Sequence, residues 1–380
     1  MIKQSFDISG AQNSTKINSL TGMRFFAIMI IVISHLEFLK NYSNIGYVYW
    51  QYFHNATLGV DFFFVLSGFG LMLSDINRNG FTIYNKINLK NLINYGVNHI
   101  RKIYPLYIST IVIGIPLYIY EAHVSGKSFL LIVKLIFLKL LACIFLIQSV
   151  FGMSWLSHAF NGVCWFLSCL FCIYLVSPIY INILKKFCIN IKRIILCLIS
   201  FPLLASVLGF LFKQIEKATF FDDFTYGSPW RRIIYVIFGM TLAILINKYK
   251  NSIKIKNINF YEIIIGLMSL LWFVFRRTIL FNIHYISLIY IVDLIVVGLI
   301  ILTLAYNKGI ISKFLSQPKI VYLGELSMYI FIIHYPIRIY LGTICNFYNL
   351  NEWYVALAMI FIIFTSTYFI SKYLYTCSKK

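Results

Sequence analysis

The apolar stretches of this chain are too long and too numerous to fold into a soluble core. Runs at 20–39, from 59 onward, 104–120, 163–184, 194–212, 231–246, 261–275, 285–306, 320–341 and 353–373 follow one another along the chain. They approach the roughly 20 apolar residues that a helix needs to cross the hydrocarbon of a bilayer. Backbone in that medium must satisfy its own hydrogen bonds, so the runs are read as helices. With 60% hydrophobic residues, 12% charged residues and a mean hydropathy of +0.82 over 380 residues, an ordinary soluble domain is excluded. The expectation is an all-α polytopic membrane protein with about ten transmembrane helices, one domain over 1–380, without internal repeat or linker.

The net charge of +21 would point to nucleic acid in a soluble chain. Here Arg78, Lys86, Lys90, Arg101 and Lys102, then Lys248, Lys250, Lys254 and Lys256, then Lys308, Lys313 and Lys319, sit in short connections between apolar runs. That is the positive-inside pattern, so membrane lipids and not nucleic acid are the expected surroundings. It places these connections in the cytoplasm with a leader at 1–18 carrying Lys3 and Lys16, and with Lys379 and Lys380. The connection holding Glu216, Asp222 and Asp223 falls outside. The apolar stretch 129–150 contains Lys134 and Lys139. Counted as a span it would put Lys185, Lys186, Lys192 and Arg193 outside, so it is read as an interfacial or re-entrant helix on the outer side. No cleavable signal peptide is evident. The eight cysteines fall mostly within apolar runs and read as small membrane residues, with no metal set among them.

Within the first run stand two basic groups, Arg24 and His35, eleven positions apart. On a helix they lie roughly 16 Å apart, about half the hydrocarbon thickness. Arg24 is then at the cytoplasmic surface and His35 deep inside, where an ionisable side chain is costly and marks function. The bland alternative is an interfacial anchor and a histidine bonded to a neighbouring helix. Depth estimates add partners. Arg101, Lys102 and Tyr104 lie at the cytoplasmic start of the third span, a basic cluster suited to phosphates. His334 falls about 20 Å beyond the inner start of its own span, and Asp61 and Trp165 approach the same layer from the opposite surface. Arg231 and Arg232, near the outer surface, read as interfacial anchors, with contact to an anionic acceptor as the alternative. Ser67-Gly68 reads as a close-packing pair, and Tyr47, Tyr49, Trp50 and Tyr52 as an interface belt or a sugar-stacking surface. The same histidines and Asp61 would also serve as a proton relay in a secondary transporter or flippase for a glycan lipid.

Several blocks together resemble acyltransferase family 3, the integral-membrane O-acyltransferases that modify bacterial surface glycans. An arginine, ten residues and a histidine are matched by Arg24 and His35 in a Thr-Gly-x-Arg context. Gly-Val-Asp-Phe-Phe-Phe-Val-Leu-Ser-Gly-Phe at 59–69 resembles a second motif. Tyr104-Pro105-Leu106-Tyr107 and Leu323-Gly324-Glu325-Leu326-Ser327-Met328-Tyr329, the latter followed by His334 and Pro336, resemble two more. There are two departures. Cys169 to Cys172 follow Trp165-Phe166-Leu167-Ser168 where many members carry a glutamate, and His99 and Lys102, with Arg101 adjacent, stand where paired arginines are usual.

The resemblance implies a bacterial inner-membrane enzyme with both termini cytoplasmic. It implies an acyl-CoA donor, commonly acetyl-CoA, and a hydroxyl of a glycan or lipid-linked sugar as acceptor, with no permanently bound cofactor and no metal. On this basis His35 is the expected general base, since its ordinary titration range suits that task. Asp61 would orient it. Arg24 would bind a phosphate or polarise the donor, helped by Arg101, Lys102 and Tyr104, while His334 would orient the acceptor or stabilise the tetrahedral intermediate.

Overall fold

The computed structural model describes residues 16–379 apart from 42, 85–86, 253–255, 283–285 and 351. Most of the leader, with Lys3, and also Lys86, Lys254, Tyr285 and Lys380 lie outside the described residues. The principal helices are α1 (Asn18–Ser34), α2 (Ala56–Asn79), α3 (Leu89–Ile100), α4 (Tyr104–Val124), α5 (Phe129–Ile144), α6 (Trp165–Phe187) and α7 (Ile191–Ala218). They continue as α8 (Pro229–Tyr249), α9 (Ile258–Asn282), α10 (Ile289–Tyr306), α11 (Pro318–Glu325), α12 (Ser327–Phe347) and α13 (Trp353–Ser378). No strand occurs among the described residues. Nine helical stretches there are long and apolar enough to cross a membrane, with α11 and α12 counted as one, and the shorter apolar α1 makes the tenth run. The protein is an all-α polytopic membrane protein.

α8 is the axis of the bundle. From Ile234 to Ile244 every side chain is buried, and α2 lies against it so closely that a side chain on Gly68 would strike the Val236 carbonyl. Glycine there lets two backbones touch. Burial of α8 overturns one expectation. Arg231 and Arg232 are not interfacial anchors, because both are fully enclosed. Arg232 forms an ion pair with Asp61 and donates from Nε to the Tyr226 carbonyl at 3.1 Å. Arg231 donates to the Thr225 carbonyl at 2.9 Å and lies over the Tyr290 ring at 4.0 Å. Arg276 grips Asp293 with two bonds of 2.9 and 2.7 Å, and Lys185 pairs with Asp75. Asp61, Asp75 and Asp293 thus each meet a buried cation, as a low-dielectric interior favours.

α5 is 16 residues long and presents Phe129, Leu130 and Phe137 outward. The chain beyond it turns back. Leu146 O accepts from Ser168 Oγ at 2.7 Å, Val150 O accepts from the Trp230 indole at 2.8 Å, and Ser154 N donates to Asp222 at 2.7 Å. Residues 146–164 therefore return to the connection between α7 and α8 before α6 begins. Hydrogen bonds from Ser154 hold the Asp222 carboxyl below its ordinary range.

Candidate active site

The first turn of the site is made where α1 stops. A helix end leaves carbonyls without intrahelical donors, and here side chains supply them. Ser34 O accepts from the Tyr49 hydroxyl at 2.6 Å and from His54 Nδ1 at 3.0 Å. Both donors come from a short segment that includes a π-helical turn at Tyr49–Phe53. His35, the next residue, turns its ring back so that Nδ1 donates to Ile31 O at 2.8 Å.

His334 approaches from α12. Its Nδ1 donates to Ile330 O at 3.0 Å, and its Nε2 faces His35 Nδ1 at 3.3 Å. The neighbouring Pro336 explains how this part of α12 is anchored. Proline has no N–H for the carbonyl four residues earlier, and the freed Ile332 O accepts from Asn161 Nδ2 at 3.0 Å instead. Asn161 also bonds Thr110 at 3.1 Å, tying α12 to α4. This network assigns the tautomers. Each ring carries its proton on Nδ1, so His334 Nε2 is an acceptor for His35, and His35 Nε2 is a bare lone pair with no partner among the described residues.

His35 lines a cavity of about 500 Å³ together with Ser34, Glu37, His54, Asn55, Thr57 and Tyr226, and with Arg276 and Arg277 beyond them. A separate recess of about 10 Å³ is lined by Ile31, Val60, Phe63, Phe166, Ser327, Met328 and Phe331. The Phe331 ring lies 6.2 Å from that of His334. Ser327 follows the break between α11 and α12, and its buried hydroxyl has no hydrogen-bond partner among the described residues.

Arg24 is on the same side of α1 as His35, since eleven residues are about three turns. Arg24 as a residue is half-buried, and its guanidinium has no hydrogen-bond or ion-pair partner among the described residues. α11 packs against α1 at this level, and a side chain on Gly324 would collide with the Thr21 carbonyl. Thus the structure brings His35 and His334 into contact, with Arg24 about three turns earlier along α1.

Other expected residues are placed differently. Arg101 and Lys102 are exposed, and Arg101 donates to Asn98 Oδ1 at 3.4 Å. The Tyr104 hydroxyl is taken by Ile144 O at 2.8 Å. From the last turn of α3, His99 packs onto Tyr174, ring to ring at 5.2 Å, and Tyr174 bonds Ser67 at 2.7 Å. Asp61 does not orient His35. Its carboxylate is drawn away by Arg232, whose charge would otherwise be buried alone. Sequence reasoning missed Asn55, His54, Glu37, Arg276 and Arg277. Glu37 pairs with Arg338 of α12 at 3.0 Å, and Arg277 donates to His54 O at 2.8 Å, contacts for which no local pattern exists.

Comparison with known proteins gives the family. The acyltransferase domain family matches residues 17–372. A protein named acyltransferase MdmB, from Streptomyces mycarofaciens, is 28% identical over 187 residues, 48% of this chain and 43% of that protein. The chain thus matches less than half the length of this relative. No solved structure gives a significant match. With a family match running from the start of α1 to within the last helix, the chain belongs to acyltransferase family 3.

Proposed function

We propose that the protein is a membrane-bound O-acyltransferase that moves a short acyl group, acetyl in the simplest case, from acyl-CoA to a hydroxyl of a glycan or lipid-linked sugar. The observation that carries this reading is the bare Nε2 of His35 on the wall of the large cavity. The donor enters from the Arg24 end, where the unpartnered guanidinium takes a phosphate. The pantetheine arm of CoA is comparable in length to the separation of Arg24 and His35. The acceptor occupies the cavity.

In the reaction the acceptor oxygen attacks the thioester carbonyl carbon while His35 Nε2 takes the hydroxyl proton. The imidazolium so formed is held by its Nδ1 proton, shared between Ile31 O and His334 Nε2. Collapse of the tetrahedral intermediate breaks the C–S bond, and the proton on Nε2 passes to the leaving sulfur, giving an ester and free CoA. Ser327 Oγ, buried and without a partner, supports a role in binding the carbonyl oxygen. The apolar recess suits a methyl group, being about the size of one water. In keeping with the charge pattern, the donor side is assigned to the cytoplasm of a bacterial inner membrane, with both termini on that side.

The test is reconstitution in liposomes with radiolabelled acetyl-CoA and acceptor-bearing membranes, following CoA release and labelled ester together. Label transfer supports the reading. Movement of a glycan lipid without thioester consumption overturns it. Two variants refine the assay. Arg24→Ala should raise the donor concentration for half-maximal rate roughly 10- to 100-fold, the worth of a charge-assisted contact. Phe331→Ala should raise the use of butyryl-CoA relative to acetyl-CoA at least about tenfold by lengthening the recess; an unchanged ratio would remove the recess from the acyl site.

A further inference from the structure

We infer that Asn55 is an acceptor-positioning residue, whose amide oxygen takes a hydrogen bond from a second donor group beside the reacting hydroxyl, so that the site selects polyols such as sugars over simple alcohols. This deepens the proposed function and rests on it.

Asn55 is 2% exposed and lines the same cavity as His35. Its Nδ2 donates to Tyr52 O at 3.2 Å and to Phe273 O at 3.0 Å. Rotating the amide would set its oxygen against both carbonyls, so the orientation is fixed. The remaining atom, Oδ1, is buried without a hydrogen-bond partner among the described residues. Asn55 precedes α2, where an asparagine ordinarily caps the helix by accepting a backbone N–H. Here no side-chain cap forms, and Leu58 N bonds the Asn55 backbone carbonyl at 3.3 Å instead.

Most of the cavity's other polar lining is committed. His54 Nδ1 is on Ser34 O, Glu37 is on Arg338, and Arg276 is on Asp293. His54 Nε2 and Glu37 Oε1 also face this lining, but the acceptors assigned to the bound molecule are His35 Nε2 and Asn55 Oδ1, the first for the hydroxyl that reacts and the second for a neighbour. A buried carbonyl left without a donor is rare in native folds. A molecule offering one hydroxyl satisfies one of these atoms and leaves the other stranded, and sites of that kind discriminate strongly.

The test uses the full-length protein in liposomes, radiolabelled acetyl-CoA, and membranes of the host strain lacking the gene as acceptor. Asn55→Ala should raise the half-saturating amount of acceptor membranes at least about tenfold while leaving the half-saturating acetyl-CoA concentration within about twofold. A purely structural role would instead move both values together with heat stability, and that result overturns the inference. A second measurement needs no variant. The wild-type protein should label octyl glucoside at least about tenfold faster than octanol, whereas equal labelling of the two, at whatever level, overturns it. Should the wild-type protein transfer no label to host membranes, the O-acyltransferase reading falls and this inference with it; transfer that Asn55→Ala leaves unaltered removes only the role of Asn55.

Discussion

His35→Ala should lower acyl transfer by about 10²- to 10⁴-fold, the usual worth of a positioned general base, with little change in heat stability. The ring is half-buried and packs at the end of α1, where Ser34 O keeps its bonds from Tyr49 and His54 without it. The loss should lie in the rate at saturating donor, because Arg24 and the path beside it are untouched. His334→Ala should cost less, since His334 holds the His35 ring and its imidazolium and does not take the proton itself. Initial rates of CoA release in liposomes, with heat unfolding measured on the same preparations, check both. A His35→Ala protein that transfers at the wild-type rate would dispose of the base assignment.

The largest effect on stability is expected at the pair that α8 makes with α2. Asp61 and Arg232 are fully enclosed, with the rings of Tyr226, Phe64 and Trp165 centred 5.0, 5.3 and 5.6 Å from the guanidinium carbon. Arg232→Met leaves a buried carboxylate without its cation and should cost about 3–5 kcal/mol. Asp61→Leu in the same background removes the stranded charge and should restore most of that loss, because a packed apolar pair is often as stable as a buried ion pair. The comparison is heat unfolding in detergent of the two single variants and the double variant. If the double variant were as unstable as the sum of the singles, the pair would not be coupled as the geometry requires.

Where the chain could be read directly, one physical rule sufficed. Helix length and polarity located the ten apolar runs, and rise per residue placed His35 and His334 in a common layer, where their ring nitrogens meet at 3.3 Å. Charge bias singled out 129–150, which holds the 16-residue α5 before the chain doubles back. The failures share a cause. Asp61 finds Arg232 across 171 positions, and Arg276 finds Asp293 on the next helix, both choices set by which faces pack. The place of Arg232 in the first turn of α8 suggests the surface, whereas the helices around α8 enclose it. Asn55 carried no signal, since an unpartnered oxygen is visible only once the donors around Nδ2 are known.

The central claim is that a thioester arriving from the Arg24 end meets His35 at the wall of the acceptor cavity. An experimental structure with a non-hydrolysable thioether analogue of acetyl-CoA tests it most directly. The prediction is density with phosphate at Arg24, the acyl methyl in the recess between Phe166 and Phe331, and the carbonyl within reach of His35. Density running in from the cavity side, or an acyl group seated away from the two histidines, would contradict it.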